Sequence, residues 1–219
     1  AGLFVSSGTM GNVAAILAHT RRGDEVICGS QSHMYRKEQG AMSVLAGVQA
    51  RPLQERPDGT FDPEEIVSAI QVSDDHHPIT RLVTIENTHN ICGAVPLTAD
   101  YTDSVGQITQ QYDLKLHLDG ARLFNAAVSL NTSVEQLAAG VDSVSICLSK
   151  GLCAPVGTVL CGQHDFIYSA RRARKVLGGG MRQAGILAAA AHGSATAADL
   201  DRPRVQPHKP YGQSRPRFR

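Results

Sequence analysis

The sequence has no excess of either charge. Among 219 residues, 21 lysines and arginines stand against 20 acids, a net charge of +1. That excludes a chain basic throughout that coats nucleic acid. Long apolar runs are missing too: no stretch reaches the roughly 18 residues of a membrane-spanning helix. No charged segment leads into an apolar one, so no secretory signal is visible. Neither GxGxxG nor GxxxxGK[ST] occurs, which weighs against a nucleotide-binding domain. The five cysteines, at 28, 92, 147, 153 and 161, are odd in number and show no CxxC or His/Cys metal spacing. A disulfide framework and a metal site are therefore not expected, and a reducing, cytoplasmic compartment is. Tryptophan is absent.

What is present suffices for a core. Hydrophobic residues make up 42% of the chain, and at this size folding can bury roughly 70% of the surface. Strand-like runs stand at Glu25–Cys28, Arg81–Glu86, Leu114–Asp119, Val144–Leu148 and Val156–Cys161. Helix-like stretches fall between them, at Thr9–Ala18, after the cap Asp62-Pro63-Glu64-Glu65, at 99–112 and at 163–176. Alternating β and α elements predict a three-layer α/β/α fold with a mostly parallel mixed sheet. In such folds ligands gather beyond the carboxyl ends of the strands.

The even charge balance conceals a seam. Residues 196–219 carry six basic and two acidic groups, a net of +4, and four of the ten prolines; the remaining 195 residues carry −3. Residues 1–192 read as one domain and 193–219 as a Pro/Arg-rich tail too poor in apolar residues to order itself. Ala1 leads straight into Gly2-Leu3-Phe4-Val5, which reads as an internal piece of a longer chain.

Three strand ends carry residues suited to chemistry. In His117-Leu118-Asp119-Gly120-Ala121-Arg122, residues 117 and 119 share a strand face. Asp119 there can hold a positive ring nitrogen, or simply cap the next helix. In Cys147-Leu148-Ser149-Lys150-Gly151, an apolar strand delivers one lysine into a small-residue turn. Apolar walls would favour its free amine, which Schiff-base chemistry needs, though a turn lysine is often just solvated. Ser7-Gly8-Thr9 opens a helix, and is an anion seat or a plain N-cap. A phosphate seat, a carboxylate for a ring nitrogen and a lysine amine together match what pyridoxal phosphate requires. His33, within Gln31-Ser32-His33-Met34-Tyr35, offers a flat ring. His76 and His77, after Asp74-Asp75, read as a solvated loop, and His19, His164, His192 and His208 show no partners.

The motifs SGTMGN (7–12), GSQSHMY (29–35), ENTHN (86–90), HLDGARLFNA (117–126), CLSKGLCAPVGTVL (147–160) and GGGMRQAGILAAA (178–190) occur in one order. Their order and spacing resemble those of the low-specificity L-threonine aldolases, in the β-eliminating lyase group of fold-type I pyridoxal-phosphate enzymes. The resemblance covers about residues 1–192. It implies the large domain of that fold, the cofactor pyridoxal 5'-phosphate, and cleavage of L-threonine or L-allo-threonine to glycine and acetaldehyde. It implies Lys150 as the amine that holds the cofactor, Asp119 at the ring nitrogen and His33 stacked on the ring. Gly8, Thr9 and Ser149 would hold the phosphate, and Arg182 would reach the phosphate or a neighbouring subunit. Arg122 would grip the substrate carboxylate. His89 would meet the β-hydroxyl as the base, with Glu86 orienting His33 or His89. The resemblance further implies a homodimer or homotetramer acting on a small amino acid, with no nucleic-acid or membrane partner. Such enzymes start some fifty residues earlier and continue into a small C-terminal domain. The expectation is therefore a chain cut at both ends, with impaired activity or a non-catalytic role in binding the cofactor or a full-length partner.

Overall fold

A computed structural model of the chain describes residues 1–190. The expected tail at 193–219, with His192 and His208, lies outside the described residues. Strands β1 (Gly2–Val5), β2 (Glu25–Gly29), β3 (Gln49–Leu53), β4 (Thr80–Glu86), β5 (Lys115–Asp119), β6 (Ser143–Cys147) and β7 (Thr158–Gly162) form one sheet. Helices α1 (Gly8–His19), α2 (His33–Arg36), α3 (Pro63–Ala69), α4 (Ala99–Gln111), α5 (Leu123–Leu130), α6 (Val134–Leu137) and α7 (His164–Val176) join them, with a π-helical turn over Met42–Ala46. The spatial order is β1-β7-β6-β5-β4-β2-β3. Strand β7 is antiparallel to both its neighbours, and the other pairs are parallel. This is the mostly parallel mixed sheet the alternation predicts.

Both faces of the sheet carry apolar clusters, and successive side chains alternate between them. Ile27, Val83, Ile85, Leu116 and Leu118 pack with Ile66, Val105, Leu123 and Leu137 of α3 to α6. Their neighbours Val26, Cys28 and Leu82 pack on Ile16 of α1 and Met42. Beside them, Leu3, Val5 and Leu160 meet Ala14, Ala15, Phe166 and Ile167 of α1 and α7. Helices on both faces give three layers.

Local chemistry sets the helix starts. Ser7 accepts the Met10 amide at 3.2 Å, and Asp62 accepts the Glu64 amide at 3.0 Å with Pro63 in the first position. Several elements lie outside the sequence expectation: strand β3, helices α2, α5 and α6, and the π-helical turn. Strand β3 is an edge strand reading Gln-Ala-Arg-Pro-Leu, with no apolar alternation to announce it.

The parallel strands β1 to β6 all point their carboxyl ends one way. Gly8 follows β1, His33 follows β2, Glu55 follows β3, Glu86 ends β4, Asp119 ends β5 and Lys150 follows β6. In-register pairing sets Glu86 beside Asp119 and Asp119 beside Ser145.

Candidate active site

The centre of this edge is acidic and buried. Asp119, Glu86, Glu38 and Glu55 are all withdrawn from solvent. A carboxylate survives burial only with donors around it, and each has them. Asp119 accepts the Asn12 side-chain amide at 2.9 Å and the Ala121 backbone amide at 3.2 Å. Glu38 accepts from Asn12 at 3.0 Å and pairs with His33 Nδ1 at 2.9 Å. His33, Glu38 and Asp119 thus converge, their polar atoms all within 4.8 Å of one another.

His33 keeps an open side, with its side chain 36% exposed. The hydrogen bond with Glu38 raises its pKa above the ordinary value, against burial, and the charges of Asp119, Glu38 and Glu86 add to the rise. Glu86 accepts the His33 backbone amide at 2.7 Å and the Asn90 amide at 3.0 Å. It therefore fastens the start of α2 to the 86–90 turn. Burial raises the Glu86 carboxyl, as does Asp119 beside it; His89 and the two amides oppose this.

His89 is 2% exposed and bonded to Glu55, Nε2 to Oε1 at 3.0 Å. Its Nδ1 accepts the Cys92 amide at 3.4 Å. Burial alone would lower the His89 pKa, but the Glu55 hydrogen bond and the charges of Glu86, Glu55 and Asp119 leave it raised. Burial works against the Glu55 charge as well. Hydrogen bonds from His89, the Gln31 amide and the Ser30 hydroxyl outweigh it and leave the Glu55 pKa lowered.

The other expected residues are less enclosed. Lys150 lies in the turn after β6, partly exposed, and its carbonyl accepts the Cys153 amide at 2.9 Å. Ser149 is exposed beside it. Gly8 and Thr9 form the first turn of the 12-residue helix α1. A Cβ on Gly8 would press on Cys147 Sγ at 3.0 Å, so glycine lets the helix end sit against β6. The Arg122 backbone donates to the Asn87 carbonyl at 3.3 Å, which ties the start of α5 to the 86–90 turn. Arg182 is exposed, three residues past Gly179, whose Cα faces Met10 in the first turn of α1. His76 sits on the surface with Asp74, as a solvated loop would. His19 is a correction: it does have partners, bonding Ser143 at 2.7 Å and stacking on Phe166 at 4.4 Å.

The arrangement can bind an anion at the α1 N-terminus, hold a cationic ring atom at Asp119 and present an amine from Lys150. The β-eliminating lyase family model matches residues 1–211. The chain belongs to the β-eliminating lyase family. Within it, the chain is 49% identical over 194 residues to the probable low-specificity L-threonine aldolase 2 of Arabidopsis thaliana, covering 87% of this chain and 55% of that protein. It is 43% identical over 190 residues to the low specificity L-threonine aldolase of Escherichia coli K12, covering 87% and 56%. The solved threonine aldolase of Leishmania major superposes with a TM-score of 0.77 at 26% identity, over 91% of this chain and 58% of that one. The chain thus spans about half the length of the curated relatives it matches.

Three buried residues of this cluster carry no role in the sequence expectation: Asn12, Glu38 and Glu55. Asn12 closes the SGTMGN motif and Glu38 lies five residues past His33, so a weak signal existed for both. Glu55 sits in no motif. Only the parallel pairing of β2 with β3 carries it next to Ser30 and Gln31.

Proposed function

We propose that the chain carries the pyridoxal-phosphate site of an enzyme that cleaves L-threonine and L-allo-threonine to glycine and acetaldehyde. The observation that carries this reading is the buried Asp119 carboxylate at the end of β5, held on both oxygens and sharing one sheet edge with His33, Lys150 and the start of α1. The donor set fits the group: a carboxylate for a ring nitrogen, an imidazole with an open side, an amine and a glycine-led helix terminus. Asp119 would hold the ring nitrogen, His33 would cover the ring and Lys150 would hold the cofactor covalently. Gly8, Thr9, Ser149 and Arg182 would serve its phosphate. When bound, the cofactor supplies an electron-poor ring that draws off the electron pair released at the substrate Cα.

The chain's own groups do the rest. Arg122 offers a planar fork of donors to the substrate carboxylate. Glu55 holds the Nε2 proton of His89 and so leaves Nδ1, which receives a long 3.4 Å bond from the Cys92 amide, as the proton acceptor. Loss of the β-hydroxyl proton to Nδ1 lets the Cα–Cβ bond break, and acetaldehyde leaves. Return of a proton to Cα yields glycine. Assembly as a homodimer or homotetramer in a cytoplasmic setting belongs to the same reading, and exposed Val44, Tyr168 and Val176 offer apolar surface for it.

The test is direct. Purified chain with added pyridoxal phosphate should develop a visible absorption band that borohydride traps on Lys150, and should release acetaldehyde from L-threonine. A folded chain with no band defeats the cofactor reading. A band without acetaldehyde supports instead a chain that binds the cofactor without catalysing the cleavage.

A further inference from the structure

Strands β5 and β6 carry a square of polar residues on the face that α1 covers. His117 pairs in register with Ser143, and Asp119 with Ser145. All four are buried, and Asn12 of α1, 1% exposed, sits over them. The opposite face of the same strands is apolar, with Leu116, Leu118 and Val144 in the core. Burying five polar side chains in one patch is costly unless every donor and acceptor is matched, so the hydrogen-bond inventory is informative.

The inventory closes in one way. Both partners of Asn12 Nδ2 are carboxylates, Asp119 at 2.9 Å and Glu38 at 3.0 Å, so Nδ2 must donate to both. The Asn12 carbonyl then faces Ser145 Oγ at 2.7 Å and His117 Nε2 at 3.3 Å, and both must donate to it. His117 therefore carries its proton on Nε2, and its Nδ1 accepts the Ser143 hydroxyl at 2.8 Å. Ser143 is left to accept from His19 Nε2 at 2.7 Å. A flipped amide would set its oxygen against two carboxylates and its protons against two donors. Burial pushes the His117 pKa down to about 3, with the His19 charge adding to this and the Ser143 backbone opposing it, consistent with a ring that carries a single proton.

We propose that Asn12 is a positioning residue of this site: its amide, oriented by Ser145 and His117, holds the Asp119 carboxylate aimed at the cofactor's ring nitrogen. The role rests on the cofactor reading above. The two directed N–H bonds of Asn12 fix the Asp119 and Glu38 carboxylates as separate acceptors. A carboxylate held in this place is the partner that a protonated pyridine nitrogen needs.

The experiment uses the 219-residue chain, its Asn12→Ala and Asn12→Asp variants, and two probes. One is pyridoxal phosphate; the other is its 1-deaza analogue, with C–H in place of the ring nitrogen. Asn12 acting through Asp119 predicts that both variants bind pyridoxal phosphate about tenfold more weakly or worse, the scale of a lost hydrogen bond to a charged group. Affinity for the analogue should stay within about twofold. Equal losses on both probes, or no loss on either, overturn the role. Failure of the unaltered chain to bind either probe defeats the cofactor reading and the role with it. The network itself is read without cofactor, from the ring nitrogen signals of His117 in ¹⁵N-labelled chain. An Nε2–H tautomer that stays neutral down to pH 5 supports it. An Nδ1–H tautomer, or protonation near pH 6, overturns the inventory even where cofactor binds.

Discussion

His89 donates its Nε2 proton to Glu55 Oε1 across 3.0 Å, where neither side chain reaches solvent. The two are 34 residues apart in sequence. Glu55 keeps its charge through bonds from Ser30 and Gln31 as well, so the pair is anchored to the end of β2. A histidine held this way has a settled tautomer and a strengthened affinity for a second proton.

Replacing Glu55 by Gln removes that support. The His89 pKa should fall from its raised value, because burial, the first influence on it, is then less opposed. Stability should drop by about 1–3 kcal/mol through a weakened buried hydrogen bond. NMR titration of the His89 ring and urea denaturation measure the two effects. An unchanged His89 titration would remove Glu55 from the account.

The stability of the fold should depend on pH in a direction its histidines set. The His19 pKa is lowered to about 4, chiefly by burial, and the His117 pKa to about 3, for the same reason. Both folded values lie below the ordinary 6.5, so the unfolded chain binds protons that the fold refuses. The contribution of these two histidines is complete above pH 6.5 and is lost as pH falls toward 4 and then 3. His33 and His89 act oppositely: their raised values give stability that is present below 6.5 and lost as pH rises through the folded pKa. Urea midpoints between pH 4 and 7 should therefore rise with pH less steeply than His19 and His117 alone would dictate. A His117→Phe variant should flatten the acid limb further, by about one proton taken up. An unchanged slope in that variant would contradict the buried neutral ring.

Gly59 lies under His89. Its φ is +80°, and a Cβ there would come 2.7 Å from His89 Cβ. Gly59→Ala should cost about 1–3 kcal/mol through backbone strain and overpacking. It should also loosen the His89–Glu55 bond, visible as a His89 titration moved toward the ordinary value. A thermal melt and the same NMR titration decide it, and a Gly59→Ala variant as stable as the original chain would refute the close approach.

Glu86 binds two backbone amides with two oxygens. Glu86→Gln leaves one acceptor oxygen and faces an N–H with an NH₂. The expected cost is about 1–3 kcal/mol, with faster hydrogen exchange at the amides of His33 and Asn90. Slower or unchanged exchange at both would show that the carboxylate does not fasten these turns.

The sequence by itself determined the parts that depend on near neighbours. The alternation in Leu114–Asp119 put His117 and Asp119 on one strand face, and the Asp62-Pro63 cap marked the start of α3. Gly8, Asp119 and Lys150 were legible as chemistry because each stands at the end of an apolar run or the start of a helix. What tertiary structure decided is who meets whom. Asn12 and Asp119 are 107 residues apart, and Asn12 and Ser145 are 133 apart. Glu55 follows an edge strand whose residues carry no periodic signal. The reversed direction of β7 is equally invisible in Thr158–Gly162, an apolar run like those of the parallel strands. Short-range order follows from side-chain period and capping, which a few consecutive residues encode. Partners across strands depend on sheet order and register, which the chain settles only by burying both faces of the sheet at once.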